Sequence, residues 1–214
     1  MQSTILNILQ DSRLCLGTGF CSEQVVSRID QYLQLLVKWN RKINLTAQKD
    51  PQQILSRHVF DSLQYLRVIE PGTRVMDIGS GAGFPGLPLK IIYPDLDLVL
   101  VESLRKRCSF LETAVRDMSL KNVEVINLRA EQVGDEYAGQ FDAVVLRAVT
   151  CVEACLHLAS RFVGPLGVVI LKKSPEEELK AVYTESGFEL QKDVPITSFH
   201  GLASNLLVFQ KCFT

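Results

Sequence analysis

The amino-acid sequence predicts an α/β fold, with a mostly parallel seven-stranded sheet, a C-terminal antiparallel hairpin and an N-terminal helical extension. From residue 72 onward, short apolar runs of strand length alternate with helical patterns, which is typical of a parallel sheet covered by helices. The last two strand-like runs have no helix between them, and a direct connection favours an antiparallel pair. Residues 1–69 show helical patterns only, so we divide the chain into an extension (1–69) and a sheet domain (70–214).

The individual elements follow from hydrophobic periodicity and from Pro, Gly and Asn residues that punctuate it. In the extension, one helix is predicted to begin after Ser22 and to end near Trp39, and a second to run from Pro51 to about Leu66. The predicted strands cover 74–78, 97–101, 123–127, 141–146, 167–171, 188–194 and 205–212. The predicted helices of the sheet domain cover 85–92, 104–119, 151–162 and 175–186.

Composition excludes several classes of protein. The 214 residues are 47% hydrophobic, which suits one domain with an appendage and a large core. No apolar run reaches transmembrane length and the N-terminus is not signal-like, so we expect a cytoplasmic protein without a membrane partner. The six cysteines form no Cys-x-x-Cys pair and the histidines are dispersed, which predicts reduced, buried thiols and no metal site. The net charge of −1 argues neither for nor against nucleic acid.

A glycine-rich turn at residues 75–86 is the most informative stretch of the chain. A short apolar run ends in Asp77, and Gly79, Gly81 and Gly83 follow at alternate positions. Glycine adopts positive φ easily and lets a ligand approach the backbone closely, while the following helix start offers free N–H groups. We therefore expect a nucleotide-like cofactor to bind at this turn.

Two classes of cofactor fit the turn. The run Gly81-x-Gly83-x-x-Gly86 matches the dinucleotide fingerprint, and Glu102 follows at the distance that this fingerprint expects. S-adenosylmethionine (AdoMet) instead needs an open glycine turn, an acid after the second strand for its ribose hydroxyls, and an upstream acid such as Asp77 for its ammonium group. Residues 87–214 are already used by the predicted sheet and leave no second nucleotide-binding half, which favours AdoMet over NAD. A turn that binds nothing is the remaining alternative.

The chain also resembles a known family, the bacterial small-subunit rRNA guanine-N7 methyltransferases, also called glucose-inhibited division protein B. The blocks that carry the resemblance are Lys38-Trp39-Asn40, Asn44-Leu45-Thr46, Arg57-His58-x-x-Asp61-Ser62, Asp77 to Pro88, Ser103-Leu104-x-Lys106-Arg107, Arg129-Ala130-Glu131, Arg147-Ala148 and Leu171-Lys172. One departure is that Glu102 stands where Asp is common. The resemblance implies a Rossmann-like AdoMet-dependent methyltransferase that acts on N7 of a guanosine in 16S rRNA. The alternatives are an NAD-dependent oxidoreductase, a small-molecule methyltransferase and a non-catalytic binding module.

The resemblance also implies site residues and a partner. Arg147 follows the fourth predicted strand and is assigned to the active site as the catalytic residue, with a structural ion pair as the alternative. The expected cofactor-binding residues are Gly79, Gly81, Gly83, Phe84, Glu102, Ser103, Leu104, Ala130, Glu131 and Arg147. The expected substrate-binding residues are Asn44, Arg57, His58, Asp61, Ser62 and Lys172. The expected partner is 16S rRNA or the small ribosomal subunit, and we expect the protein to be a monomer.

Overall fold

The computed structural model describes residues 1–147, 151–177, 182–183 and 186–212. The strands in this part of the chain are β1 (Arg74–Ile78), β2 (Asp97–Val101), β3 (Val123–Ile126), β4 (Phe141–Leu146), β5 (Val163–Lys173), β6 (Val182–Tyr183), β7 (Phe188–Thr197) and β8 (Ala203–Lys211). The α-helices are α1 (Gln2–Leu9), α2 (Glu23–Ile43), α3 (Pro51–Ile54), α4 (Phe60–Leu63), α5 (Gly86–Ile92), α6 (Arg105–Asp117) and α7 (Val152–Ala159).

One mixed sheet contains all the described strands, in the order β3-β2-β1-β4-β5-β8-β7-β6. The first five strands are mutually parallel, whereas β8 pairs antiparallel with both β5 and β7. Seven strands thus form the expected mostly parallel sheet with its C-terminal hairpin, which confirms the predicted fold class. The two-residue strand β6 adds an eighth, antiparallel to β7.

The helix predicted over 175–186 is wrong where the structure describes this range. Residues 182–183 form β6 instead, and residues 178–181 and 184–185 lie outside the described residues. The ring of Tyr183 is buried and packs edge-on against Phe209, 5.3 Å between centroids. The physical reason is therefore that an aromatic residue, which favours strands, gains a core contact beside the sheet edge.

The helical predictions for the extension hold with two differences. Helix α2 continues past Trp39 to Ile43, and Asn44 ends it in a left-handed conformation with φ of 49°. The second helix is present, but a π-helical stretch, Leu55–Val59, joins α3 to α4. Such π-turns often occur at functional sites, and this one contains Arg57 and His58.

The extension shares a core with one face of the sheet. Side chains of α1, α2 and α4 form one apolar cluster with α5, α6 and the sheet, for example Ile5, Tyr32, Phe60, Leu98 and Phe110. A second cluster lies on the opposite face beneath α7. Because the extension packs on the sheet, its residues Leu45, Thr46 and His58 reach the carboxyl edge beside the glycine turn. The boundary between residues 69 and 70 stays a prediction.

The prediction for the cysteines was partly wrong. All six are free, but only Cys108 and Cys155 are buried, while Cys15 and Cys151 are exposed and Cys21 and Cys212 are intermediate. Both exposed cysteines sit at the ends of helical turns, which face solvent rather than the core. Within the described ranges, no cluster of three or more His, Cys, Asp or Glu could hold a metal ion. No helix there is long and apolar enough to cross a membrane.

Candidate functional site

The glycine turn between β1 and α5 exposes its backbone to open space. Gly79, Gly81 and Gly83 have φ values of 76°, 59° and 89°. A Cβ added at Gly79 would meet no atom within 4 Å, and one added at Gly81 would come no closer than 3.8 Å to its neighbours. At Gly83, a Cβ would lie 2.5 Å from Leu87 Cδ1. The first two glycines therefore keep the outer surface of the turn clear, while the third permits tight packing of the turn onto α5.

Asp77 is a buried carboxylate at the base of this turn. Its Oδ2 accepts a hydrogen bond of 2.9 Å from the Gly86 backbone N–H, but Oδ1 has no hydrogen-bond partner in the described part of the chain. Burial raises the pKa of Asp77 to about 7, against the opposing effects of the Gly86 bond and the Arg147 charge. The turn thus contains an unfilled buried acceptor, which suits a cationic ligand group.

Glu102 connects the glycine turn to the end of β2. Its side chain is only 5% exposed, and its two carboxylate oxygens accept backbone N–H bonds from Gly81 (3.0 Å) and Leu104 (2.8 Å). Arg107 Nη1 lies 3.7 Å from Oε2. The Glu102 side chain therefore holds the turn in place, and each oxygen retains a further lone pair with which to accept a ligand hydrogen bond.

Four more of the predicted cofactor residues follow β2 and β3 at the same sheet edge. The Ser103 carbonyl accepts a hydrogen bond of 3.0 Å from Asn127 Nδ2, and Leu104 is an exposed apolar residue at the start of α6. Ala130 is buried and Glu131 is exposed, in a short 3-10 turn that follows β3. The structure therefore brings these residues to the edge that also carries the glycine turn, as predicted from the order of the strands.

Arg147 lies in a cluster with His58 and Phe84. Arg147 Nη2 is 3.3 Å from His58 Nδ1, and its guanidinium carbon is 5.2 Å from the Phe84 ring centroid. The His58 ring stacks on the same phenylalanine at a centroid distance of 5.0 Å. Arg147 forms no ion pair with any carboxylate of the described residues. Phe84, which is buried, supports both polar side chains.

His58 is held in its neutral form. Burial and the positive charges of Arg147, Arg57 and Lys172 lower its pKa to about 4. Because a guanidinium has only donors, Arg147 must donate to Nδ1, and the ring proton must reside on Nε2. Nε2 lies 2.7 Å from Gln48 Oε1 and 2.9 Å from Thr46 Oγ1.

The loop that carries Thr46 and Gln48 is held by Asn40 of α2. Asn40 Nδ2 donates to the carbonyls of Thr46 (3.0 Å) and Gln48 (2.8 Å), and its Oδ1 accepts from the Thr46 N–H at 2.9 Å. Asn44, predicted to bind substrate, is exposed and lines a separate hollow with Lys49. Asn40 lines the same hollow. The substrate-binding role of Asn44 stays a prediction, and Asn40 is the residue that fixes the loop facing His58.

Two pockets meet at His58 and Arg147. The first, of about 200 Å³ and called here the turn pocket, is lined by Leu45, Thr46, His58, Gly79, Ser80, Gly81, Ala82, Phe84 and Arg147. The second, of about 650 Å³ and called the basic pocket, is lined by Gln48, Arg57, His58, Asp61, Arg147, Lys172, Lys173, Ser174, Ser198, His200, Leu202, Ala203 and Ser204. The two shared side chains thus stand between the glycine turn and a cavity that can accept a larger ligand.

The basic pocket contains a nearly buried ion pair between Asp61 and Lys172. Their side chains are 16% and 18% exposed, and Asp61 Oδ1 has no hydrogen-bond partner among the described residues. Ser62 is fully buried and donates to the His58 carbonyl at 2.6 Å, so it stabilises the helix and does not line the pocket. His200, from the turn between β7 and β8, lies with Nε2 3.0 Å from Ser56 Oγ.

Sequence reasoning missed several site residues. The buried Tyr32 hydroxyl donates to the Ala82 carbonyl at 2.6 Å and so anchors the glycine turn, although the helical pattern identified Tyr32 only as a core residue. Gln48 and His200 carried no local signal, because each reaches the site only through tertiary packing. Thr46 stood in one of the blocks that carry the resemblance, without a role of its own.

Comparison with known proteins identifies the family. The profile of the family described as rRNA small subunit methyltransferase G matches residues 25–207. A relative named ribosomal RNA small subunit methyltransferase G, from Alkaliphilus metalliredigens, is 34% identical over 95% of this chain and 89% of its own length. The relative of the same name from Sorangium cellulosum is 44% identical over 72% of this chain and 67% of its own length.

Solved structures show the same fold at low sequence identity. A SAM-dependent methyltransferase from Aquifex aeolicus is 17% identical, with a TM-score of 0.55 over 74% of this chain and 93% of its own. TYW2 from M. jannaschii, solved in complex with AdoMet, is 18% identical, with a TM-score of 0.57 over 72% of this chain and 74% of its own. The family profile and the relatives together establish that this chain belongs to the rRNA small subunit methyltransferase G family.

Proposed function

We propose that this protein transfers the methyl group of AdoMet to N7 of a guanosine in 16S rRNA. The observation that carries the proposal is that the turn pocket and the basic pocket meet at His58 and Arg147. This arrangement suits a methyl donor on one side and a nucleotide on the other. The names of the relatives support an rRNA substrate, and the choice of N7 follows from the resemblance to the guanine-N7 methyltransferases.

The residues at the turn fit AdoMet. A bound AdoMet would supply an electrophilic methyl group on its sulfonium. The open surfaces of Gly79 and Gly81 give room for it, and the unfilled buried acceptor of Asp77 suits its ammonium group. Glu102 retains lone pairs for the ribose hydroxyls. Further along the edge, Ser103, Leu104, Ala130 and Glu131 are proposed to hold the adenine end.

The proposed chemistry needs no general base, because N7 of guanine carries a free lone pair at neutral pH. His58 agrees with this, since both of its ring nitrogens already have partners in the protein. The protein then contributes orientation and exclusion of water, and orientation alone can supply roughly 7–11 kcal/mol. We assign to Arg147 the task of orienting the guanine or a flanking phosphate with the N–H groups that His58 does not use.

The basic pocket is proposed to accept the target nucleotide, which must leave a helix or lie in a single-stranded loop to reach it. Lys172 and Lys173 are paired with Asp61 and Glu177, whereas the exposed Arg57 has no ion pair within the described ranges. Arg57 is thus a ready contact for a phosphate. We further propose that the protein acts as a monomer, and an rRNA substrate implies action in the cytoplasm.

Methyl transfer can be tested with AdoMet labelled in the methyl group. The protein is incubated separately with small ribosomal subunits, protein-free 16S rRNA and a metabolite extract, and the labelled products are digested and analysed by mass spectrometry. We expect label in 16S rRNA, as N7-methylguanosine. Label in metabolites only would indicate a small-molecule methyltransferase, binding without transfer would indicate a binding module, and binding of NAD in place of AdoMet would indicate an oxidoreductase.

A further inference from the structure

Arg147 has a single hydrogen-bond partner in the described part of the chain, and that partner is His58. The 3.3 Å contact between Arg147 Nη2 and His58 Nδ1 directs the guanidinium toward the junction of the two pockets. The Phe84 ring lies beneath both groups but cannot fix the direction of the N–H bonds. The direction of Arg147 therefore depends on the state of the imidazole.

The imidazole can accept from Arg147 only while Nδ1 is unprotonated. A neutral histidine has two tautomers, and the hydrogen bond at one nitrogen selects which of them is present. Here Nε2 faces Gln48 Oε1 at 2.7 Å, an oxygen that can only accept. The hydroxyl of Thr46 also donates to this oxygen, at 2.8 Å, which leaves the Thr46 oxygen as a second acceptor facing Nε2 at 2.9 Å. Both groups therefore favour a proton on Nε2.

We infer that Gln48 is a positioning residue, which fixes His58 in the Nε2–H tautomer and thereby aims Arg147 at the junction of the two pockets. The Gln48 backbone is itself held, because its carbonyl accepts from the buried Asn40 side chain at 2.8 Å. The chain of contacts thus runs from α2 through the 44–48 loop and the π-helical stretch to the end of β4. The inference rests on the proposed function only where methyl transfer is measured, and the tautomer of His58 can be measured without it.

The charged groups around His58 define what a change at Gln48 would do. Arg147 follows β4, Arg57 lies in the π-helical stretch and Lys172 lies on β5, and all three oppose a positive charge on the ring. Asp61 and His200 line the same pocket from α4 and from the turn after β7, and Asp61 is paired with Lys172. A new carboxylate at position 48 would instead favour the imidazolium form and raise the pKa of His58.

Gln48→Glu is the decisive variant. A protonated His58 carries an N–H on Nδ1 and cannot accept from Arg147, so the variant should lose methyl transfer as the pH falls. We expect the ratio of variant rate to parent rate to fall at least tenfold between pH 8.5 and pH 6. The ratio removes the pH dependence that Asp77, with a pKa of about 7, contributes to both enzymes. Gln52→Glu is the matched control, because it adds the same charge at an exposed position on α3. Gln48→Leu removes the acceptor without adding charge. It should lower the rate of methyl transfer at every pH, without the additional loss at low pH.

Nitrogen NMR of the histidine rings tests the tautomer directly in the full chain, with the His58 signals assigned by their loss in His58→Gln. We expect an unprotonated Nδ1 and a protonated Nε2 in the parent, and a ring in Gln48→Glu that titrates closer to neutral pH. A proton on Nδ1 in the parent, or a Gln48→Glu enzyme whose rate follows the parent at every pH, would overturn the inference. If the parent does not methylate rRNA but shows the Nε2–H tautomer and its titration in Gln48→Glu, the positioning role holds and only the proposed substrate fails.

Discussion

The turn pocket and the basic pocket share two side chains but are built in different ways. The glycine turn comes from one contiguous stretch, residues 77–86, and is held largely by backbone hydrogen bonds and by the Glu102 side chain. The basic pocket draws on segments that extend from Gln48 to Ser204 and is held by side-chain contacts. The conformation of the glycine turn is therefore encoded largely by one local stretch. The rest of the turn pocket, which includes Thr46, His58 and Arg147, and the whole basic pocket exist only once distant parts of the chain meet.

The C-terminal hairpin is what closes the basic pocket onto the helical extension. Arg13 Nη1 donates to the Ser198 carbonyl at 2.8 Å, and Gln64 Nε2 donates to the Thr197 carbonyl at 3.1 Å. The rings of Phe60 and Phe199 meet edge-on at 5.4 Å. Loss of these contacts between the extension and the hairpin should therefore disturb the basic pocket before it disturbs the glycine turn.

The largest effect that we expect concerns stability at the turn. In the folded protein the pKa of Asp77 is raised to about 7 from an ordinary value of 3.8, so the native state binds more protons than the unfolded state between these pH values. Its contribution to stability is present below pH 4 and is lost as the pH rises through 7. Asp77→Asn keeps an acceptor for the Gly86 N–H and removes the charge. Above pH 7, the free energy of unfolding of this variant should therefore exceed that of the parent by as much as about 4 kcal/mol.

Urea unfolding of the parent and Asp77→Asn across pH 4 to 8 measures this difference. The free energies of unfolding of the two proteins must be compared at each pH, because the contribution of the neutral His58 to stability changes with pH in the opposite direction. Its lowered pKa adds stability above 6.5 that is lost as the pH falls toward 4. A difference that stays constant with pH would mean that Asp77 does not titrate in this range. AdoMet affinity should fall in the same variant if Asp77 holds the ammonium group.

A second prediction concerns the ion pair of the basic pocket. Lys172→Met leaves the Asp61 carboxylate nearly buried and unpaired, which should cost about 3 kcal/mol of unfolding free energy. Adding Asp61→Asn to Lys172→Met should restore most of this loss, because no charge then remains unpaired. Urea denaturation of both single variants and the double variant measures the coupling. Losses that simply add would show that the two side chains do not interact in solution.

The same variants also separate stability from contact with RNA. If Lys172 contacts the substrate, the double variant regains stability but not methyl transfer. If the double variant regains both stability and methyl transfer, the Asp61–Lys172 ion pair serves folding only.

The same difference between the pockets explains how much the sequence could predict. The alternating runs predicted seven strands and the helices between β1 and β5, although they wrongly predicted a helix over 175–186. The glycines at 79, 81 and 83 predicted the turn, because these are local signals. The partner of Arg147 could not be found this way, since His58 is 89 positions distant and meets it only through packing of the extension on the sheet. The role of Asn40 was not predicted either, because its contacts with the loop of Thr46 and Gln48 form only when that loop folds back on α2. Strand β6 was missed because its contact with Phe209 is also tertiary.

Arg147 joins the two pockets, and its substitution should affect transfer more than folding. Lysine keeps the charge but lacks the planar fork, so it cannot donate to His58 and to a substrate group in the same directions. We expect Arg147→Lys to lose roughly 1.5–3 kcal/mol of transition-state stabilisation, about ten- to a hundredfold in kcat/KM. Its melting temperature should stay near that of the parent. Full methylation by Arg147→Lys, or a loss explained by unfolding alone, would contradict the catalytic assignment.

The smallest effect that we expect concerns the open surface of the turn. It can be measured by comparing alanine substitutions at the two glycines that flank β1. Gly79 and Gly72 have φ values of 76° and 77°, and a Cβ at either would meet no protein atom within 4 Å. Alanine at each position should therefore cost the same backbone strain, roughly 1–2 kcal/mol of stability. Only Gly79 lines the turn pocket, so only Gly79→Ala should also weaken AdoMet binding, by about tenfold or 1.4 kcal/mol. Calorimetric titration of both variants measures this, and equal AdoMet affinities would show that the cofactor does not use the space in front of Gly79.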